Sequence, residues 1–223
     1  MLKTALAATA LAALSFSAQA VTIVQWDYEG YTAPTGTFNT FGGISPTIGT
    51  GSGSVFHSTA ATFSTPSGNG STKSISANNW SVNDYWQFRF STVGYSGVSV
   101  TFDQAGSATG PRDFTAFYSL DAINFTSLGS YTVALSTWSP TAPATGFDHS
   151  FTLPADANNA LTVYVLLRDT STVSVNAGAV GTGGTDRIDN FTVSATPVPE
   201  AATAAMLLAG LAALGFIAKR RKP

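Results

Sequence analysis

The sequence predicts an all-β chain, an antiparallel β-sandwich of jelly-roll type. Three observations carry that expectation. Apolar residues recur at every second position in several short runs, turn-forming clusters separate the runs, and nothing between the two ends shows the periodicity of an amphipathic helix. With 223 residues, 44% of them hydrophobic, the chain is long and apolar enough to bury a core.

Trp86, Phe88 and Phe90 alternate with Gln87, Arg89 and Ser91, and Val98, Val100 and Phe102 alternate with Ser99 and Thr101. Phe114, Ala116 and Tyr118 form a weaker set. Leu161, Val163, Val165 and Leu167 alternate with Thr162, Tyr164 and Arg168, and the additional Leu166 points to burial on both faces. Phe191 and Val193 close the series. Each run offers one apolar face to a facing sheet. Turn clusters at 94–97, 106–111 and 181–184 separate the runs. The stretch from Phe38 to Gly70, rich in Gly, Ser and Thr, reads as long loops with short strands, where a binding surface could sit on a rigid sheet.

Composition excludes several functions. The chain has no Cys and two His, which removes disulfide scaffolds, thiolate metal sites, thiol catalysis and His-rich centres. Between residues 21 and 196 lie five cations (Lys73, Arg89, Arg112, Arg168, Arg187) and eleven acids, five minus eleven giving a net charge of −6. No nucleic-acid partner is expected of such a domain. No Gly-x-Ser-x-Gly elbow is present, and the glycines at 181–184 lack the Lys and helix of a phosphate cradle. His57 and His149 have no evident partners in the sequence. Glu29 is the only Glu of the domain, and no Asp stands in a pattern typical of a glycosidase pair. The chain is therefore expected not to be an enzyme.

Both ends depart from the domain. Lys3, an apolar stretch from Ala5 to Phe16, and the small residues Ala18 and Ala20 form the pattern of a secretory signal cut after Ala20. At the other end Pro197 and Pro199 stiffen an extended segment. Ala201 to Ala218 carries no charge. Its eighteen residues (201 through 218) would run about 27 Å as a helix, just enough for a single transmembrane helix. Lys219, Arg220, Arg221 and Lys222 would then stay cytoplasmic as a membrane stop, leaving everything before Pro199 outside the inner membrane.

Val198-Pro199-Glu200, the apolar helix and the terminal basic cluster together resemble the PEP-CTERM sorting signal of Gram-negative bacteria. The family pattern is Pro-Glu-Pro, and Ala201 stands at its third position here. The resemblance implies an exosortase-like membrane protease as partner, transient anchoring in the inner membrane, removal of the tail, and delivery to the cell surface or the exopolysaccharide matrix. The organisation is then a signal peptide over 1–20, a β-sandwich over 21–196 and a sorting tail over 197–223. A second, looser resemblance rests on landmark order: Asn79-Trp80-Ser81, Asp84-Tyr85-Trp86, Gly110-Pro111-Arg112-Asp113 and Asp186-Arg187-Ile188-Asp189. It is similar to the galactose-binding or lectin-like sandwiches often found ahead of such tails. Together the two imply an adhesive or polysaccharide-binding surface protein. The alternatives are a structural matrix protein without a ligand and an enzyme acting on extracellular polysaccharide.

Two sets of residues could carry binding chemistry. Trp and Tyr residues exceed what a small core needs, and aromatic faces stack on sugar CH groups while Arg donates hydrogen bonds. Trp80, Tyr85 and Arg112 are the ligand candidates, against the competing reading that the Trp residues fill the core. Asp27 and Glu29 near the first strand could meet Asp186 and Asp189 at the last, because the end strands of jelly rolls are often neighbours. Four carboxylates there would suit Ca²⁺. The other reading is that Asp186 pairs with Arg187 or caps a turn while Asp189 bonds local backbone. No other cofactor is expected.

Overall fold

The computed structural model describes residues 19–198 and Gly210. Ala18, Pro199, Glu200, the remainder of the apolar stretch and the basic cluster 219–222 lie outside the described residues. So do the expectations of a signal peptide and a C-terminal transmembrane helix. Among the described residues, no helix is long and apolar enough to cross a membrane. Ala20 is exposed, and the first strand begins immediately after it.

The described domain is all-β. Twelve strands form one sheet that folds back on itself. One half contains β1 (Val21–Trp26), β4 (Ile75–Ala77), β6 (Tyr95–Gly106), β9 (Ala134–Leu135), β10 (Asp148–Thr152) and β12 (Asp186–Pro197). The other contains β2 (Thr37–Ile44), β3 (Gly51–Ser64), β5 (Tyr85–Phe90), β7 (Asp113–Ser119), β8 (Thr126–Thr132) and β11 (Val163–Asp169). The long β3 joins the halves, pairing with β5 in one and β4 in the other. The first and last strands are neighbours, with Trp26 opposite Phe191. Pairing is antiparallel except for β9, which runs parallel to β6.

The alternating runs become strands whose apolar sides meet in the interior. Trp86, Phe88 and Phe90 face inward from β5, and Val98, Val100 and Phe102 from β6. Phe88 stacks on Phe191 of the opposite half, ring centroids 3.7 Å apart, and the Trp26 ring meets both edge-on. Burying side chains of this size contributes about 1.5–3 kcal/mol each and drives closure of the two halves. Inside the core, Gln104 Nε2 donates to both oxygens of Asp186, and the Tyr131 hydroxyl donates to Gln104 Oε1 at 2.7 Å. These bonds satisfy groups that would otherwise be costly to bury.

Two expectations need correction. Leu161 does not belong to the strand that begins at Val163 and is 84% exposed. The stretch from Phe38 to Gly70 is not mainly loop: it holds β2 and the fourteen-residue β3. Its apolar signal is weak because other residues supply the volume. A Cβ on Gly51 would come within 2.9 Å of the Trp26 ring, so the tryptophan occupies the space a side chain would need. Close approach also explains Gly184, where a Cβ would sit 2.0 Å from the Thr109 carbonyl oxygen. The turns at 106–111 and 181–184 thus pack backbone against backbone.

Candidate binding face

The β3-β5-β11-β7 sheet has an outer face that the core does not use. Strand register arranges it in rows. In the first, Phe56 lies opposite Tyr85, Tyr85 opposite Arg168, and Arg168 opposite Thr115. The second runs Ser54, Gln87, Leu166, Phe117, and the third Ser52, Arg89, Tyr164, Ser119. These residues are the polar or surplus members of the alternating runs, which is why they point away from the interior.

Phe56 stacks on Tyr85 with centroids 5.3 Å apart and an interplanar angle of 21°. The Arg168 guanidinium lies over the Phe117 ring, 4.1 Å from its centroid. Leu166, opposite Phe117 in the second row, is buried, as its place in the sequence suggested. Partial burial raises the Tyr85 hydroxyl above its ordinary value, so it stays an uncharged phenol. A cavity of about 150 Å³ adjoins the third row between Arg89, Ser91 and Thr162. The face therefore offers flat apolar rings flanked by hydrogen-bond donors, the combination that fits stacked, hydroxyl-rich rings.

Of the three ligand candidates, Tyr85 alone lies on this face. Trp80 is 4% exposed and packs against His57, Trp86 and Phe114, with its indole N–H donating to the Ala77 carbonyl at 2.9 Å. Only its margin borders a cavity of about 560 Å³, together with Ser81, Asp169 and Ser171. Trp26, Tyr28 and Trp86 are likewise core residues. Arg112 sits beyond the first row and donates to both oxygens of Asp113, at 2.8 and 3.1 Å. Sequence reasoning missed Phe56, Phe117, Tyr164 and Arg168 as surface groups. The signal was the outward phase of each alternating run.

His57, expected to lack a partner, meets Asp84 at 3.1 Å between Nδ1 and Oδ2, both residues fully buried. Asp84 also accepts the Ser58 and Ser81 backbone N–H groups at 2.8 Å each. Burial pushes its carboxyl up, but the bonds from His57, Ser58 and Ser81 outweigh burial and hold it below the ordinary value. Among the described residues His57 Nε2 is buried with no hydrogen-bond partner. Nearby, burial pushes Asp169 up to about 7.

The four carboxylates expected to meet at a Ca²⁺ site hold separate jobs. Asp186 accepts Trp86 and Gln104 in the core. Asp189 accepts the Asn69 N–H and the Ser71 hydroxyl at 2.9 and 2.7 Å, and also the N–H of Asn190 next to it. Asp27 accepts the Thr47 hydroxyl, and Glu29 accepts the Thr72 hydroxyl and the Lys73 N–H. Among the described residues no group of three or more His, Asp or Glu is placed to hold a metal ion. Adjacent end strands do not suffice, because the intervening loops turn these side chains to different neighbours.

A model of the PEP-CTERM protein-sorting motif matches residues 197–222. No curated protein matches the sequence. Among solved structures, the fold is similar to the K3 cleaved adhesin domain of Lys-gingipain from Porphyromonas gingivalis, at 14% identity and a TM-score of 0.41, covering 78% of this chain and 98% of that one. It is also similar to the N-terminal CBM22-1-CBM22-2 tandem domain of a Paenibacillus barcinonensis protein, at 14% identity and a TM-score of 0.46, covering 77% of this chain and 49% of that one. A family 29 carbohydrate-binding module shares 14% identity at a TM-score of 0.41, covering 79% and 89% of the two chains.

Proposed function

The chain carries a PEP-CTERM protein-sorting motif at residues 197–222, and from that premise we propose that it is an exported, non-catalytic surface or matrix protein that binds polysaccharide. Export begins with the N-terminal signal. The tail then holds the folded domain at the inner membrane until an exosortase-like protease removes it. The payload is released to the cell surface or the exopolysaccharide.

The observation that supports binding is the outer face of the β3-β5-β11-β7 sheet, where Phe56, Tyr85, Phe117 and Tyr164 line neighbouring strands with Gln87, Arg89 and Arg168 between them. Phe56 and Tyr85, opposite each other on adjacent strands with ring centroids 5.3 Å apart, supply an apolar platform for one sugar unit, and Tyr164 two rows away could meet another. A catalytic reading has no comparable support, since among the described residues no side chain meets the buried Nε2 of the His57–Asp84 pair.

Two measurements test the reading. Mass spectrometry of protein from its native host should give a chain that starts at Val21 and ends near Pro199. Recovery of the Lys219–Lys222 cluster in the mature protein would overturn the sorting half. Affinity electrophoresis against a panel of soluble polysaccharides should show retardation that Tyr85→Ala and Phe56→Ala reduce about tenfold without loss of folding. No retardation on any member would leave a structural matrix role instead.

A further inference from the structure

We propose that the outer face of the β3-β5-β11-β7 sheet selects acidic polysaccharide, a chain whose sugar units carry carboxylate groups. This rests on the polysaccharide-binding reading and names the chemistry of that same face.

The inference starts from charge placement. Residues 21–196 carry a net charge of −6, five cations against eleven acids. Yet none of the eleven falls in the three rows of the outer face, whereas Arg89 and Arg168 do. The nearest acid along β7 is Asp113, already bound by the Arg112 guanidinium and by the Ser171 hydroxyl at 2.7 Å. Asp84 and Asp169, the chain neighbours of Tyr85 and Arg168, are fully buried, and Asp121, which accepts the Ser119 hydroxyl at 2.8 Å, lies at the far end of the third row, so a ligand over Tyr85 and Arg89 meets mainly the two guanidinium groups.

Arg168 is also prepared for a carboxylate. Among the described residues no Asp or Glu lies within ion-pair distance of Arg168 or Arg89, and Arg168 Nε is buried without a hydrogen-bond partner. The Arg168 guanidinium carbon lies 4.1 Å over the Phe117 ring centroid, and its two Nη groups, neither buried nor hydrogen-bonded among the described residues, form the edge left for a ligand. That edge is the fork that accepts a carboxylate through two parallel N–H···O bonds. With Tyr85 and Phe56 alongside, one sugar ring would stack while its carboxylate reaches Arg168. Arg89, two positions from Gln87 on β5 and beside Tyr164, would take a carboxylate further along the chain.

The test compares alginate and polygalacturonate with methyl-esterified polygalacturonate, which keeps the backbone and masks the charge. Wild-type protein should bind the free acids about tenfold or more tightly than the ester, and the difference should shrink as salt rises. Arg168→Gln should remove most of that preference, Arg168→Lys should restore only part, and Tyr85→Ala should weaken acid and ester alike. Thermal midpoints of all variants serve as the folding control. Equal binding to acid and ester, or a preference untouched by Arg168→Gln, would overturn the acidic selectivity while leaving polysaccharide binding intact. Binding to neutral glucans alone would do the same. Wild-type protein that binds no polysaccharide would overturn the face as a binding site altogether.

Discussion

Trp86 and Asp186 join the two halves of the sheet through the core: the indole N–H donates to Asp186 Oδ1 at 2.7 Å, with both residues excluded from solvent. Burial raises the Asp186 carboxyl well above its ordinary value, and the bonds from Trp86 and Gln104 pull the other way. Trp86→Phe keeps an aromatic ring but strips one donor from a buried acceptor. The expected cost is about 1–3 kcal/mol, plus a cavity contribution. For a domain of this size that lowers the melting temperature by roughly 2–4 °C per kcal/mol. Calorimetry that found no change would show the bond to be dispensable.

Stability should fall as pH rises through the mildly acidic range. Burial pushes Asp169 up to about 7 and Asp189 up to about 6, from an ordinary value of 3.8. Between the ordinary and raised values the folded chain keeps a proton that the unfolded chain has released. Their contribution is therefore complete below the ordinary value and is lost as pH climbs through about 6 and 7. Asp84 and Asp113, held below their ordinary range, act oppositely but only in more acidic solution. The Asp169 share is at most about 4 kcal/mol. Urea midpoints at several pH values should trace the decline, and Asp169→Asn should flatten it. Burial lowers His149, which opposes the decline in the same range, so an unchanged slope in Asp169→Asn is the outcome that contradicts the assignment.

Asp84→Ala should be among the more damaging single substitutions. It removes the acceptor of two backbone N–H groups and of the buried His57 ring. Each unpaired group costs about 1–3 kcal/mol, so a loss of at least about 3 kcal/mol is expected. Denaturant titration of Asp84→Asn, which retains one acceptor oxygen, should give a smaller loss. Equal losses for the two variants would mean that these bonds are not what matters there.

Trp80→Ala and Tyr85→Ala should separate folding from binding. Trp80 is sealed in the core, so its truncation should cost about 3–5 kcal/mol. Tyr85 lies on the outer face, and its truncation should leave the unfolding transition nearly unmoved while weakening polysaccharide retention. The reverse pattern, stable Trp80→Ala with lost binding, would relocate the site to the cavity that Trp80 borders.

Period-2 alternation made the inward half of the fold legible: β5, β6, β7, β11 and the end of β12 follow the runs at Trp86, Val98, Phe114, Val163 and Phe191. The same runs carried the outward residues Gln87, Arg89, Tyr164 and Arg168, but as polar filler. What made them a candidate face was cross-strand register, which places Tyr85 opposite Arg168 across eighty-odd residues of chain. β3 stayed hidden because its core space is filled from outside by Trp26, leaving Gly51 and Gly53 with no apolar signal of their own. The partners of Asp186 and Asp189 were hidden for a related reason. Partners such as Gln104 and Ser71 are polar residues of ordinary type, and only the fold shows which carboxylate each one meets.

β12 does not stop short of the sorting motif. Pro197, the first matched residue, still lies opposite Tyr95, and the Val198 N–H donates to the Gly94 carbonyl at 2.8 Å. Val198 is the residue immediately before Pro199-Glu200 in the sequence, and one residue of extended chain spans only about 3.5 Å. If the tail is cut there, as proposed, the protease would have to accept a strand end still held in the sheet, or first peel it away. The pace of release would then depend on how tightly the Gly94 corner grips its neighbour, and a few inserted glycines after Val198 would set the cargo loose from that constraint.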